Sequence, residues 1–266
     1  MDEINYYPTT LQNNTFSGLF VEQKIIALRR VDSTNNYLKY ELTKSKPLPE
    51  GTVIMAEEQY AGRGQFNNQW LSEPGKNLTF SLLLSPSFLD PAKQFLLNIT
   101  VSIAINDVLT EIIGKDCKIK WPNDIFFGDK KLGGLLIENI LSGRSWKHAI
   151  IGIGINVNQT AFADSIKNIT SLKEIKGRPF DLRELLKRIC IAIEKHYIQL
   201  KQGFHVLQHK KYLSRLYKFK ELHTFEIDGQ VKTGSIEGIT EEGKLILNIE
   251  KELKYCGLKE VTYILP

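Results

Sequence analysis

Sulfur is scarce in this chain: its 266 residues include three cysteines and two methionines. Cys117, Cys190 and Cys256 are widely separated and odd in number. They fit neither a disulfide framework nor a zinc-binding spacing, and they point to a reducing, cytoplasmic compartment. The opening segment MDEINYYPTTLQNN is acidic and polar, without the basic and apolar parts of a secretion leader. No apolar run reads as long enough to span a bilayer, so no membrane is expected as a partner. His148, His196, His205, His209 and His223 do not cluster with carboxylates. There is no GKS/T phosphate loop, no HExxH and no nucleophile elbow. Acid–base hydrolysis and a structural metal are therefore not expected. Internal repeats and low-complexity tracts are also missing.

What is present suits a folded globular protein with one sizeable domain and a small one. The formal charge of +5 is mild and spread along the chain. It favours an anionic substrate or acidic partner through steering, and it is no nucleic-acid signature by itself. Residues 1–22 carry no strong period and read as an extended arm. Short strands are expected over 24–28, 52–57, 77–84 and 149–158. Asp32-Ser33-Thr34-Asn35 precedes a helical pattern and makes a good N-cap. Helical spacing at Phe95, Ile99, Ile103 and Asn106 predicts a buried helix over 91–113, although its β-branched residues disfavour helix. After an irregular stretch, Asp181 with Glu184 opens a helix running to about Gln202, and a basic helix follows over 204–217. From Phe219 short strands alternate with Asp228-Gly229, Glu242-Gly243 and Gly257, the pattern of a small antiparallel barrel. A domain boundary is thus placed near residue 218.

The chain is organised around Lys118 to Asn139, KIKWPNDIFFGDKKLGGLLIEN, which reads as a β-hairpin with turns at Trp121–Asp124 and Gly128-Asp129. Lys120 stands at a strand end against Trp121. Facing a pocket, such a lysine suits an anionic ligand such as phosphate; facing solvent, it is an ordinary edge-strand lysine. QYAGRGQFNNQW, Gln59 to Trp70, sets Arg63 between Gly62 and Gly64. Glycines let backbone N–H groups approach a phosphate, and arginine grips one bidentately. So polar a loop is expected to stay unformed until a ligand arrives. Gly152 and Gly154, in IIGIGIN, lack the third glycine and the following helix of a dinucleotide fingerprint. They remove side chains so that a ligand or another element lies against the strand, the alternative being tight packing on the buried helix. Asn156 then reads an adenine edge or a carbonyl. Ser33, Thr34 and Asn35 are either a helix cap or donors to a compact polar head group.

In this order, STN before a helix, GRG…W, KWPND…K-LGG-L-E and GIGIN resemble the biotin protein ligase family, closely over about 24–160 and in kind over the C-terminal part. The resemblance implies an α+β fold: a mixed sheet with helices, related to class II aminoacyl-tRNA synthetases, over 23–218, then an SH3-like β-barrel over 219–266. It implies ATP-dependent formation of biotinyl-5′-AMP with Mg²⁺, then transfer of biotin to a lysine of an acceptor such as a biotin carboxyl carrier domain. Lys120 is similar to the catalytic lysine that contacts biotin and the α-phosphate. Ser33, Thr34, Asn35 and Gln59 match positions holding the biotin ureido head, and Gly62, Arg63 and Gly64 the phosphate-binding loop, with Gln65 beside the nucleotide. Trp70 and Asn156 match adenine contacts, and Gly152 and Gly154 lie beside the biotinyl tail. The family loop commonly reads GRGRRGRxW; here Gln65, Phe66 and Asn67 replace its second half, which touches retention of the intermediate more than its formation. The Ser33 motif begins too early for an N-terminal helix-turn-helix, so the ligase-only type is expected, without nucleic acid as a partner. The resemblance leaves open monomer or homodimer, and no metal ligand is assigned, Asp116 and Asp124 being merely near. A lipoate or octanoate ligase of the same fold is the nearest rival. A non-catalytic binding or regulatory protein is the rival from another class.

Overall fold

In the computed structural model, residues 8–9, 25–46, 48–143, 145–163 and 167–265 are described. The main sheet has eight strands, β1 (Pro8–Thr9), β2 (Ile25–Val31), β3 (Val53–Gln59), β4 (Leu78–Leu84), β5 (Cys117–Lys120), β6 (Asp124–Phe127), β7 (Lys130–Ser142) and β8 (Ser145–Ile155). They lie in the order β1-β2-β3-β4-β8-β7-β6-β5. The helices are α1 (Thr34–Glu41), α2 (Phe95–Ile113), α3 (Leu172–Lys176), α4 (Leu182–Lys201) and α5 (His205–Arg215). Strands β2 and β3 pair in parallel through α1, a crossover that only a helix-length connection allows. The other ladders of the sheet are antiparallel.

Every residue of β4 is buried, because the strand is central and both its faces are covered. Leu78, Phe80, Leu82 and Leu84 join Ile99 and Ile103 of α2 and Ile189 of α4 in one core. Leu83 and Ile150 point the other way, into a second core with Val31 of β2 and Leu38 of α1. Full burial of each such side chain contributes about 1.5–3 kcal/mol. That burial is why α2 forms despite its β-branched residues: packing outweighs intrinsic propensity.

The expected hairpin is a three-stranded meander, β5-β6-β7, with Lys120 paired to Asp124 across the Trp121–Asn123 turn. The turn contains a cis peptide at Trp121-Pro122. Edge strand β5 is covered by the chain after α5, where Tyr217 N–H donates to the Ile119 carbonyl at 2.8 Å.

Two expectations need correction. The Pro91–Ile113 segment has the length and apolar character of a membrane-crossing helix, which the reading of the sequence denied. It is a core helix here, two-thirds buried, with Asn106 donating to the Cys117 carbonyl at 3.0 Å. The stretch read as irregular after Asn158 holds α3, capped by the Ser171 hydroxyl, which accepts from Glu174 N–H. The C-terminal part, as expected, is antiparallel: a five-stranded sheet of β9 (Leu222–Ile227), β10 (Gln230–Ile239), β11 (Leu245–Ile249), β12 (Glu252–Cys256) and β13 (Val261–Tyr263). Its order is β12-β11-β10-β9-β13. The arm expected over 1–22 lies outside the described residues apart from β1.

Candidate active site

One cavity of about 350 Å³ opens where the α1 N-terminus, the loop after β3, the β5–β6 turn, strands β7 and β8 and the C-terminal sheet converge. Of the residues singled out from sequence, Ser33, Thr34, Asn35, Gln59, Arg63, Gly64, Gln65, Trp70, Lys120, Gly152 and Gly154 line it. Gly62 and Asn156 do not. Gly62 is buried beneath the loop, where a Cβ would stand 2.3 Å from the Trp70 carbonyl oxygen. Asn156 is fully buried behind the cavity wall, its amide donating to the Thr170 carbonyl at 3.1 Å while its Oδ1 has no partner among the described residues.

Ser33 occupies the cap position of α1 by backbone geometry, yet its hydroxyl makes no capping bond. The next two residues are tightly held. Thr34 donates to Gln59 Oε1 through both its backbone N–H (2.8 Å) and its hydroxyl (3.1 Å). Ser81 of β4 lies within 2.7 Å of Thr34 Oγ1 and 2.6 Å of Asn35 Oδ1, a role that the sequence reading missed. An alternating apolar strand gives no hint that one serine faces a helix end.

The two strand glycines have a definite reason. A Cβ on Gly152 would lie 2.5 Å from Asn35 Oδ1, and one on Gly154 would lie 2.4 Å from Trp70 Cε2. What presses on β8 is therefore the pair of cavity residues, not the buried helix α2.

The GRG loop is held by backbone bonds across its turn. Gly64 N–H donates to the Asn68 carbonyl at 2.7 Å and Trp70 N–H to the Gly62 carbonyl at 2.9 Å. Phe66 takes a left-handed conformation, φ 53°, at its tip. Trp70 carries a buried indole N–H that has no partner among the described residues.

Lys120 is half-buried and its ammonium stands 4.5 Å from the Tyr263 ring centre and 5.4 Å from that of Phe126. Burial holds this lysine below the usual range; Asp124 opposes the shift and Lys131 adds to it. Lys131 is itself paired with Asp124 at 2.7 Å. The solvated edge-strand alternative therefore fails. Leu258, Val261, Thr262 and Tyr263 of the C-terminal part complete the wall. Trp121 ties the two sheets together by donating to the Gly243 carbonyl at 3.0 Å.

Comparison with known proteins speaks to the same segments. The biotin/lipoate A/B protein ligase family model matches residues 27–156. A biotin–[acetyl-CoA-carboxylase] ligase of Paracoccus denitrificans is 30% identical over 83% of this chain and 92% of its own length. The chain belongs to the biotin protein ligase family. The bifunctional ligase/repressor BirA of Bacillus spizizenii is 32% identical over 84% of this chain and 69% of its own. The biotin protein ligase of Aquifex aeolicus, in complex with biotin and ATP, superposes with a TM-score of 0.76 at 30% identity, covering 92% of this chain and 100% of that one.

Within this ligase family member, the family match ends at β8, so the wall supplied by Leu258–Tyr263 lies beyond it. Among the described residues no group of three or more His, Cys, Asp or Glu side chains is placed to hold a metal. Asp124, the acid nearest Lys120 in the ladder, is engaged with Lys131. The described residues therefore offer no cage of three or more such side chains for a resident ion.

Proposed function

We propose that this ligase forms biotinyl-5′-AMP from biotin and ATP and then passes the biotinyl group to a lysine of a biotin carboxyl carrier domain, in the cytoplasm. The observation that carries the reading is the meeting of Lys120, Arg63 and the α1 N-terminus around a single cavity. A helix N-terminus and two cationic side chains suit an anion with a polar head group.

In the first step a biotin carboxylate oxygen attacks the α-phosphorus, the bond to the bridging oxygen breaks, and pyrophosphate leaves. Lys120 and Arg63 bind the oxygens on which charge grows, which is electrostatic stabilisation in a partly dry site. In the second, the neutral amine of the acceptor lysine attacks the acyl carbon, AMP leaves with the bonding pair, and the proton shed by the amine nitrogen passes to solvent. No covalent enzyme intermediate is needed. In this reading Ser33, Thr34, Asn35 and Gln59 hold the ureido head, and Gly152 and Gly154 pass the biotinyl tail. Gly62, Arg63, Gly64 and Gln65 form the phosphate loop. Adenine lies beside Trp70, with Asn156 behind the same wall; Trp70 Nε1 and Asn156 Oδ1, without partners among the described residues, are one donor and one acceptor on that side. Closing the loop keeps water from the mixed anhydride.

The C-terminal five-stranded sheet is, on this reading, the SH3-like barrel of a second unit beginning near residue 219. It shares a core with the larger unit, since Phe225, Ile236 and Leu247 cluster with α2 and β5 residues.

The test is pyrophosphate exchange into ATP, run separately with biotin, lipoate and octanoate. Exchange with biotin alone establishes adenylation and ligand together. Exchange with lipoate or octanoate instead moves the chain to the sister activities of the family, and silence with all three removes the catalytic reading.

A further inference from the structure

Glu138 of β7 stands behind the cavity, outside every motif position assigned to ligand above, and it does not line the wall. Its carboxylate accepts from Arg63 Nη1 at 3.0 and 3.1 Å and from Asn35 Nδ2 at 2.9 Å. Arg63 Nη1 also donates to Asn36 Oδ1 at 2.9 Å. A guanidinium nitrogen of this kind has two hydrogens. One is taken by Asn36 and the other is shared by the two carboxylate oxygens, so Nη1 is saturated. Among the described residues, the Arg63 side chain bonds only through this nitrogen, which leaves Nε and Nη2 as the free edge of the fork. Those two nitrogens form a bidentate edge that matches a phosphate's spacing.

The same carboxylate fixes Asn35, whose Oδ1 is held by Ser81. Asn35 belongs to the head-group end of the cavity and Arg63 to the phosphate end. One buried-side acid thus joins the residues that would grip the two ends of one ligand. An acid there also has an electrostatic reason: the pair is partly covered, with the Glu138 side chain 21% exposed, so it is screened less than a surface pair.

We propose that Glu138 is a positioning residue of this ligase: it anchors Arg63 through Nη1, together with Asn36, so that the Nε–Nη2 edge is presented to a phosphate oxygen of the nucleotide. The step rests on the adenylation reading above. Glu138 touches neither substrate; it acts through Arg63.

The experiment combines Glu138→Ala with Arg63→Ala and reads both biotin-dependent pyrophosphate exchange and tryptic cleavage after Arg63. Glu138→Ala is expected to lower kcat of exchange about tenfold, in line with a misplaced donor. In the Arg63→Ala background the same change is expected to move kcat less than about twofold, because its route is already gone. Cleavage after Arg63 is expected to accelerate several-fold in Glu138→Ala, with Asn36→Ala giving the same direction. An equal kcat loss in both backgrounds would show Glu138 supporting the fold in general and would overturn the proposal. Unchanged cleavage would overturn it as well. If the unmodified chain shows no biotin-dependent exchange, the adenylation reading fails, and the cleavage arm still decides whether Glu138 anchors Arg63.

Discussion

At the scale of single residues, the proposed chemistry rests on two cations held in different ways. Lys120 is placed by aromatic rings and poor hydration, Arg63 by hydrogen bonds to Glu138 and Asn36. Replacing Lys120 by Ala should cut kcat of biotin-dependent exchange by about 10²–10³, the usual loss for one stabilising donor, while ATP binding, measured by equilibrium titration, weakens little. If only KM rises, Lys120 merely binds. The ammonium is the working form, and burial holds its pKa below 10.5. The rate should therefore fall as pH rises through a value under 10.5, and Tyr263→Ala, which admits water beside the ammonium, should move that limb upward. Between the depressed folded value and 10.5 the unfolded chain carries the extra proton, so this one group makes the fold more stable as pH rises. Lys120 and Arg63 were legible because each breaks a local pattern, one a charge at an apolar strand end, the other a cation between glycines. Glu138, Ser81 and Tyr263 were not, because alternation along a strand says which face a residue takes, not which side chain waits there.

At the scale of elements, strand β8 is the divider of the site. Its two glycines are pressed by different neighbours, Asn35 at Gly152 and Trp70 at Gly154. Gly152→Ala should raise KM for biotin, and Gly154→Ala should raise KM for ATP, each by about tenfold if the clash costs on the order of 1–3 kcal/mol. Steady-state exchange with each substrate varied in turn separates them; equal effects on both KM values would show that the strand has simply shifted. The meander of β5, β6 and β7 was readable from turn residues and alternation, and α4 from its Asp181 cap, which does accept from Arg183 and Glu184 N–H. The short α3 was not, since five residues carry too little period to register. The backbone bonds across the GRG turn were not legible either, because composition does not reveal them.

At the scale of the whole molecule, the two sheets share one core, and Trp121 crosses between them with its side chain 2% exposed and its N–H on Gly243. Trp121→Ala should therefore destabilise the molecule by about 3–5 kcal/mol, read by denaturant melts, and both sheets should melt together. All three cysteines are buried, and burial pushes the Cys117 thiol up to about 12. Thiol reagents at neutral pH should label them only as fast as the molecule opens; prompt labelling of Cys117 in the native state would contradict that burial. The general architecture could be inferred from order of strands and helices, whereas the participation of the C-terminal sheet in the cavity could not, because no periodicity records which surfaces meet. That participation has a temporal side. The wall of the cavity runs from Ser33 to Tyr263, so it closes only after partners more than two hundred positions apart have found one another. Such distant pairings form late. Activity during refolding, read as biotin-dependent exchange after a denaturant jump, should therefore rise with the docking of the C-terminal wall and lag the gain of secondary structure.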